Sequence, residues 1–195
     1  MNIIITRHGE TNKNIGNFSD DRNYTGLNHD GEIQIQKLTK RLQLYKIDTI
    51  ISSPVQRCIE TANIINKTFK TNIIYDELIK ERNNGVYADG SNIPWDDLEG
   101  DFIHKKAPEG ESLLMVRNRA NKFNRKIKTK YFKEDSTILI ISHGGFIKNF
   151  IGNILKIGIK DSIMKFYIYN ASFSEIQFTK NSFKIITLND TSHLK

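Results

Sequence analysis

The sequence predicts an α/β protein, a three-layer α/β/α sandwich with a mostly parallel central sheet and antiparallel C-terminal edge strands. Short apolar runs that suit buried strands alternate with longer segments whose apolar residues recur at helical spacing. The tail instead has short strand-like runs separated by turn residues. No repeat, low-complexity tract or Pro/Gly/Ser-rich linker interrupts the 195 residues, so we expect a single domain over residues 1–195.

The strand candidates are short runs rich in isoleucine, aromatic or β-branched residues. In chain order they are residues 2–6, 48–52, 72–75, 137–141, 166–169, 173–178 and 182–188. The helix candidates carry apolar side chains one to four positions apart, as an amphipathic helix does. They are residues 30–44, a segment from about 54 to 69, residues 111–132 and residues 145–155. Strands that alternate with helices in this way imply a parallel sheet with helices on both faces.

The composition is that of a soluble globular protein, with 38% hydrophobic and 26% charged residues. A net charge of +7 admits nucleic acid, an anionic membrane surface or an anionic small substrate as partners. A single cysteine, Cys58, excludes an internal disulfide framework and a cysteine-rich zinc site. The first apolar run is only three isoleucines, and no run approaches the roughly 20 apolar residues of a membrane span. We therefore expect no signal peptide, no membrane span and a cytoplasmic location.

Three of the strand candidates end in polar clusters. The clusters are Arg7-His8-Gly9, Ser52-Ser53-Pro54 followed by Arg57, and Ser142-His143-Gly144-Gly145. Ligands bind beyond the carboxyl ends of strands in open α/β sheets, so these clusters converge if the strands are parallel neighbours. Arginine matches phosphate oxygens, and histidine can act as a nucleophile or proton donor. Each cluster alone could be a surface feature, but together they predict a phosphate-binding pocket with a histidine at its centre.

These clusters and further motifs resemble those of the histidine phosphatase superfamily, also called the phosphoglycerate mutase-like superfamily. The matches follow the family order and span residues 3–194. The matching segments are Arg7-His8-Gly9-Glu10-Thr11 with Asn14, Ser52-Ser53-Pro54 with Arg57 and Glu60-Thr61, Glu81-Arg82 with Gly85, Gly110-Glu111-Ser112, Ser142-His143-Gly144-Gly145, Asn170-Ala171-Ser172 and Asn189-Asp190-Thr191-Ser192-His193. The resemblance implies the family's fold and a phosphoryl-transfer activity.

The resemblance also implies a role for each matching residue. His8 would attack the substrate phosphorus and form a phosphohistidine that water then hydrolyses. Glu81 would protonate the leaving oxygen and later activate the water. The other implied catalytic or substrate-binding residues are Arg7, Arg57 and His143 as a clamp on the phosphoryl group, Asn14 as a hydrogen-bonding partner of it, and Gly144 and Arg82. No cofactor and no metal is implied, and the sequence shows no obvious carboxylate cluster for a metal.

Two branches of the family remain open, a small phosphomonoesterase and a cofactor-dependent phosphoglycerate mutase. Only about 20 residues separate Gly85 from Pro108, so the insertion that encloses the substrate of such mutases is absent. An open site favours hydrolysis by water. The pair Glu81-Arg82 instead resembles the mutases, in which the arginine helps to hold a substrate carboxylate. The segment 86–90 departs from the aromatic-Glu-Gly run of many phosphatases, which puts the substrate-specificity loop in doubt.

A third possibility is a non-catalytic module that binds anions or nucleic acid. The net charge and the basic segment 122–133 favour it, although a solvated helix face explains that segment equally well. We expect a phosphorylated small molecule as the substrate, with no nucleic-acid and no membrane partner. Arg22 could be a second anion contact, and Tyr87, Trp95 and Phe102 could line the pocket or pack. The oligomeric state is not readable from the sequence.

Overall fold

A computed structural model describes residues 1–16, 26–87, 93–179 and 182–195. Its strands form one six-stranded sheet, which contains six of the seven predicted strands. They are β1 (Asn2–Arg7), β2 (Thr49–Ser52), β3 (Asn72–Tyr75), β4 (Thr137–Ser142), β5 (Phe173–Phe178) and β6 (Phe183–Asp190). The order is β3-β2-β4-β1-β5-β6, with β1 to β4 mutually parallel and β5 and β6 antiparallel at one edge. The predicted fold class is therefore confirmed.

Five α-helices are described, and two of them begin at a side chain that caps the first turn. They are α1 (His29–Leu42), α2 (Gln56–Phe69), α3 (Leu113–Lys126), α4 (Gly144–Ile154) and α5 (Ile159–Lys165). The side chain of Asn28 accepts from the Gly31 amide at 2.7 Å and begins α1, and Ser112 caps α3 in the same way. No described helix combines the length and apolar character that crossing a bilayer requires.

The isoleucine runs of the inner strands are buried on both faces of the sheet. In β1, Ile3 and Ile5 pack with Phe123 and Phe146 on one side, and Ile4 packs with Leu38 on the other. Side chains alternate along a strand, so a continuous apolar run is the pattern of a strand covered twice. Burying each such side chain contributes roughly 1.5–3 kcal/mol, which anchors the strand ends that carry the polar clusters.

Two local predictions were wrong. Residues 166–169 are not a strand: only Ile168 is buried, between exposed Tyr167 and Tyr169, so the alternation reflects one inward side chain. The Ile168 carbonyl accepts from the Arg7 side chain rather than from a neighbouring strand. Helix α5 was not predicted, because it is only seven residues long and its one buried residue is Ser162.

The long helix predicted for residues 111–132 is present with shorter bounds. Regular α-helix covers Leu113–Lys126, and the π-helical segment Ile127–Tyr131 continues it. Ile127 keeps a fully buried position within that segment. The apolar spacing therefore identified the element, whereas the change of helix type at its end leaves no apolar signature.

Candidate active site

The parallel registers bring the three predicted clusters to one edge of the sheet. Arg7 lies opposite Ser142 and Ser52 opposite Ile141, so β1, β4 and β2 end at about the same level. The His8 amide donates to the Ser142 carbonyl at 3.0 Å, which fixes the chain just beyond the two central strands. A cavity of about 1040 Å³ opens above these ends. Its lining includes Arg7, His8, Asn14, Arg57, Glu81 and Arg82 among the predicted site residues.

Arg57 joins the two histidines at the bottom of this cavity. Its Nε donates to His8 Nε2 at 3.0 Å, and its terminal Nη2 lies 2.9 Å from His143 Nδ1. The two imidazole rings meet edge to face with centroids 5.3 Å apart. Arg57 is the second residue of α2, directly after the turn that follows β2. The helix start therefore delivers the guanidinium between the two strand ends.

The hydrogen bonds assign the protonation of His8. Its Nδ1 lies 2.7 Å from the Gly9 carbonyl, which can only accept, so Nδ1 carries the proton. Nε2 is then unprotonated and receives the N–H of Arg57. Burial lowers the pKa of His8 well below 6.5, and the charges of Arg57 and Arg7 lower it further. His8 is thus neutral at neutral pH, with its nucleophilic lone pair at Nε2.

His143 is also neutral, but it is placed differently. It is fully buried, and burial lowers its pKa well below 6.5, followed by the charges of Arg57 and the other nearby cations. Its Nε2 lies 2.8 Å from the Ser53 hydroxyl. His143 therefore reaches the cavity floor only through Nδ1, on the side of Arg57.

Arg7 lies beside the start of α4. Its Nη1 donates to the Ile168 carbonyl at 2.8 Å, while its buried Nε has no hydrogen-bond partner among the described residues. Burial lowers its pKa, and the nearby Glu81 charge acts in the opposite direction. Gly144 is adjacent, since a Cβ there would lie 3.6 Å from Arg7 Nε. As the first residue of α4, Gly144 also has an amide without an intrahelical partner, a group that suits an anion.

Glu81 faces the same helix start. One carboxylate oxygen accepts from the Arg82 amide and the other from the Gly145 amide, both at 3.0 Å. Gly145 is required by this close approach, because a Cβ at that position would collide with the carboxylate. The carboxylate therefore sits at the positive end of α4, across the cavity from His8.

A side-chain ion pair holds the segment that carries Glu81. Arg119 binds Glu111 through two hydrogen bonds of 2.7 and 2.8 Å, and each side chain is only 17% exposed. The same guanidinium donates to the carbonyls of Leu78, Lys80 and Glu81 at 2.6, 3.0 and 3.3 Å. The sequence does not reveal the role of Arg119, because no local spacing on α3 indicates that it reaches a distant loop.

Arg82 has a fixed guanidinium in the cavity wall. Its Nε donates to the Glu111 carbonyl at 2.9 Å, and the guanidinium carbon lies 4.1 Å from the centre of the Trp95 ring. Its Nη2 is buried without a partner among the described residues. Trp95 therefore packs on a predicted site residue, whereas Phe102 is 42% exposed.

Asn14 is linked to the His8 backbone through Asn170. Its Oδ1 accepts from Asn170 Nδ2 at 3.0 Å, and the same Nδ2 donates to the His8 carbonyl at 3.1 Å. Asn170 is another residue to which the sequence assigned no role. Arg22 and part of the atypical 86–90 segment, residues 88–90, lie outside the described residues. Over the part of the chain that is described, no group of three or more His, Cys, Asp or Glu residues is placed to hold a metal ion.

Comparison with known proteins identifies relatives along nearly the whole chain. The family model "Histidine phosphatase superfamily (branch 1)" matches residues 3–191. "Uncharacterized phosphatase PhoE" of Bacillus subtilis is 27% identical, covering 98% of this chain and 96% of its own. "Probable phosphoglycerate mutase GpmB" of Escherichia coli is 26% identical, covering 100% and 95%. The structure of YhfR from Bacillus stearothermophilus superposes with a TM-score of 0.83 at 25% identity, covering 100% and 99%.

Proposed function

The chain belongs to the histidine phosphatase superfamily and is a phosphoric monoester hydrolase, and we propose that it hydrolyses a small phosphorylated metabolite through a phosphohistidine on His8. The observation that carries the proposal is the bridge of Arg57 between His8 Nε2 and His143 Nδ1 at the cavity floor. It places a nucleophilic lone pair and a phosphate-binding cation at the same point.

The first step begins when the substrate phosphate reaches the floor. Its oxygens attract the Arg57 guanidinium away from His8, because an anionic phosphate oxygen is a stronger acceptor than a neutral imidazole. The freed Nε2 lone pair then attacks phosphorus in line with the ester bond. The P–N bond forms as the P–O bond to the leaving group breaks, and protonated Glu81 gives its proton to the leaving oxygen.

The clamp stabilises the equatorial oxygens during this transfer. Arg7 has a buried, unpartnered Nε for the purpose, and Arg57 moves only from a nitrogen to an oxygen acceptor. The amide of Gly144, at the start of α4, is adjacent to Arg7, and Asn14 lines the cavity. His143 contributes a hydrogen bond to the phosphoryl group through Nδ1.

In the second step a water attacks the phosphohistidine. Glu81, now a carboxylate, accepts a proton from that water, inorganic phosphate leaves, and His8 returns to its neutral form with the proton on Nδ1. The cavity of about 1040 Å³ is much larger than a phosphate group and gives water access to the intermediate. Hydrolysis is therefore favoured over return of the phosphoryl group to an organic acceptor.

Arg82 favours the phosphoglycerate mutase as the second candidate. Its guanidinium is held by Glu111 and Trp95 and keeps an unpartnered buried Nη2 at the cavity wall. Such a group suits a carboxylate on the leaving group. The two activities are separated by assaying hydrolysis of phosphomonoesters and interconversion of phosphoglycerates on one preparation. Interconversion far faster than hydrolysis would assign the mutase.

The variant His8→Ala tests the nucleophile. We expect at least about a 10,000-fold loss of kcat against a panel of phosphorylated metabolites, because the covalent route is removed. Wild-type enzyme quenched during turnover should carry an acid-labile, base-stable phosphate that the variant lacks. His29→Ala, at the exposed start of α1, is the matched control and should keep wild-type activity. Undiminished hydrolysis by the His8 variant would reject the proposal.

Several expectations of the sequence stay predictions. These are the cytoplasmic location, the lack of a cofactor or metal requirement, and the absence of nucleic-acid and membrane partners. The non-catalytic alternative predicts salt-sensitive binding to DNA without turnover, which a titration at two salt concentrations measures.

A further inference from the structure

Ser53 is a buried hydroxyl that contacts the second histidine and has no assigned role. It follows β2 and is fully buried, and its Oγ lies 2.8 Å from His143 Nε2. Its amide donates to the Ile141 carbonyl at 3.0 Å, so the backbone of β4 fixes its position beside the strand that carries His143. The hydroxyl thus stands behind the imidazole, on the side away from the cavity.

The protonation of His143 follows from the groups on either side of the ring. Arg57 can only donate hydrogen bonds, so His143 Nδ1, 2.9 Å from its Nη2, must be an acceptor. A neutral imidazole has one N–H, and here it must be on Nε2. That N–H points at Ser53 Oγ, which therefore accepts it.

The other acceptor position of the Ser53 hydroxyl is also used. The amide of Val55 donates to Oγ at 3.4 Å. The Cys58 sulfur lies 3.5 Å from His143 Nε2, farther than Ser53 Oγ. Both acceptor positions of Oγ therefore have partners.

We propose that Ser53 is a positioning residue that fixes the Nε2–H form of His143, so that Nδ1 is the one nitrogen able to change partner. This inference rests on the proposed function. In the free enzyme Nδ1 accepts from Arg57. When phosphate takes Arg57 away, Nδ1 takes up a proton and donates it in a hydrogen bond to the phosphoryl group, while Nε2–H stays on Ser53.

The proton comes with the substrate. A phosphomonoester that binds as the monoanion has one P–OH group, and its proton moves to His143 Nδ1. The oxygen left behind accepts the new N–H, so the pair becomes an imidazolium beside a dianion with no net change in charge. The groups that face His143 are Arg57 and Cys58 on α2, Arg7 and His8 at the end of β1, and Arg119 on α3. The cations among them disfavour the imidazolium until the phosphate charge is present.

Long-range ¹H–¹⁵N NMR of the free wild-type protein tests the tautomer directly. We expect His143 to show a protonated Nε2 and an unprotonated Nδ1. Saturating inorganic phosphate should convert it to the doubly protonated form at a pH near 6. A free enzyme with the proton on Nδ1 overturns the proposal, whatever the variants do.

The variant Ser53→Ala tests the function of the contact. We expect the inhibition constant for inorganic phosphate to rise and kcat/KM to fall roughly 10- to 100-fold, as for other lost partners of an active-site histidine. Ser53→Thr keeps the hydroxyl and should recover most of the loss. Ser52→Ala is the matched control, because Ser52 is equally buried but bonds only the carbonyls of Ser53 and Cys58.

Two outcomes separate this inference from the proposed function. Unchanged phosphate inhibition in Ser53→Ala, or an equal change in Ser52→Ala, rejects the role of Ser53 and leaves the phosphohistidine route standing. Hydrolysis that survives His8→Ala rejects that route, while the tautomer of His143 is still decided by NMR. If Ser53→Ala does not fold, the wild-type spectra with and without phosphate decide alone.

Discussion

The floor and the wall of the cavity are held by different kinds of interaction. The floor is the set Arg7, His8, Arg57 and His143, and the wall is the set Glu81, Arg82, Glu111 and Arg119. Backbone pairing of β1, β2 and β4 places the floor at the strand ends. Arg119 of α3, half-buried in an ion pair with Glu111, holds the wall segment by its carbonyls. The positions of the floor residues can therefore change only if the sheet itself changes. The wall segment can move while the fold persists.

The two regions also differ in charge. In the floor, two neutral histidines are hydrogen-bonded to one arginine. In the wall, Glu111 and Arg119 neutralise each other, and Arg119 donates both of the charge-assisted hydrogen bonds that join them. The floor thus presents the two cations Arg7 and Arg57, whereas in the wall Glu111 and Arg119 form an ion pair. In the proposed reaction the substrate phosphate binds the cations of the floor.

Arg57→Ala should give the largest loss. The floor would lose the cation that meets both the phosphoryl group and the two histidines, and we expect kcat/KM to fall by about 1,000-fold or more. The phosphate inhibition constant should rise in parallel. Arg57→Lys keeps one charge but cannot reach His8 and His143 together, so it should recover only a small part. Both are measured by steady-state hydrolysis at fixed pH.

A matched arginine shows whether the effect belongs to the floor. Arg117 on α3 is also buried, but its guanidinium bonds Asn149, the Ile157 carbonyl and Ser162, away from the cavity. Arg117→Ala should lower the melting temperature and leave kcat/KM of the folded protein near wild type. Similar kinetic losses in both variants would mean that Arg57 acts through the fold.

Arg119→Ala should lower activity less than Arg57→Ala does. It should lower kcat and leave phosphate binding unchanged. Without the hydrogen bonds from Arg119 to its carbonyls, the segment before Glu81 relaxes and Glu81, the proposed general acid, is displaced, so we expect kcat to fall roughly 10- to 100-fold. Inhibition by inorganic phosphate should stay near wild type, because the floor is intact. Glu111→Gln keeps the shape of the side chain and loses its charge, so we expect a smaller loss of kcat than in Arg119→Ala. A rise in the phosphate inhibition constant equal to the loss in kcat would show that floor and wall are one unit.

The sequence predicts the floor far better than the wall, and the reason is the range of the interactions. Arg7, His8 and His143 follow apolar runs that identify strands, so the topology rule places them together. Glu81 and Arg82 come only from the family resemblance. The Arg119 side chain contacts Leu78, which is 41 residues away in the sequence. A hydrophobic periodicity cannot indicate such a contact.

The same dependence on contacts distant in sequence explains why two secondary-structure elements were predicted incorrectly. An alternating pattern marked residues 166–169 as a strand, although Ile168 is buried for its own packing and its carbonyl serves Arg7. Helix α5 is held through Ser162, which accepts from Arg117, and a buried serine leaves no hydrophobic period to detect. Local patterns identify elements that are built from apolar burial, and miss those that are built from polar contacts across the fold.

The smallest expected effect is on the pH dependence of the free energy of unfolding. The floor and the wall should lose stability in different pH ranges. The pKa values of His8 and His143 lie well below 6.5 in the folded protein, chiefly through burial, so the unfolded chain binds protons first as pH falls. The free energy of unfolding should therefore decrease below about pH 6.5, by at most about 1.4 kcal/mol per pH unit for each histidine. Urea unfolding between about pH 7 and pH 5 measures the slope.

The wall should respond only in stronger acid. Burial of Glu111 opposes ionisation, but the hydrogen bonds from Arg119 and the Asn83 amide outweigh it and lower its pKa below 4.5. The stabilisation by Glu111 is complete above pH 4.5 and is lost as pH falls through the lowered pKa.

Glu111→Gln should thus keep the wild-type slope of unfolding free energy against pH between about pH 7 and pH 5, whereas His143→Asn should flatten that slope. His193, whose pKa burial also lowers, is the control for a half-buried histidine outside the floor. Equal slopes in wild type and His143→Asn would show that the floor histidine is not held neutral by the fold.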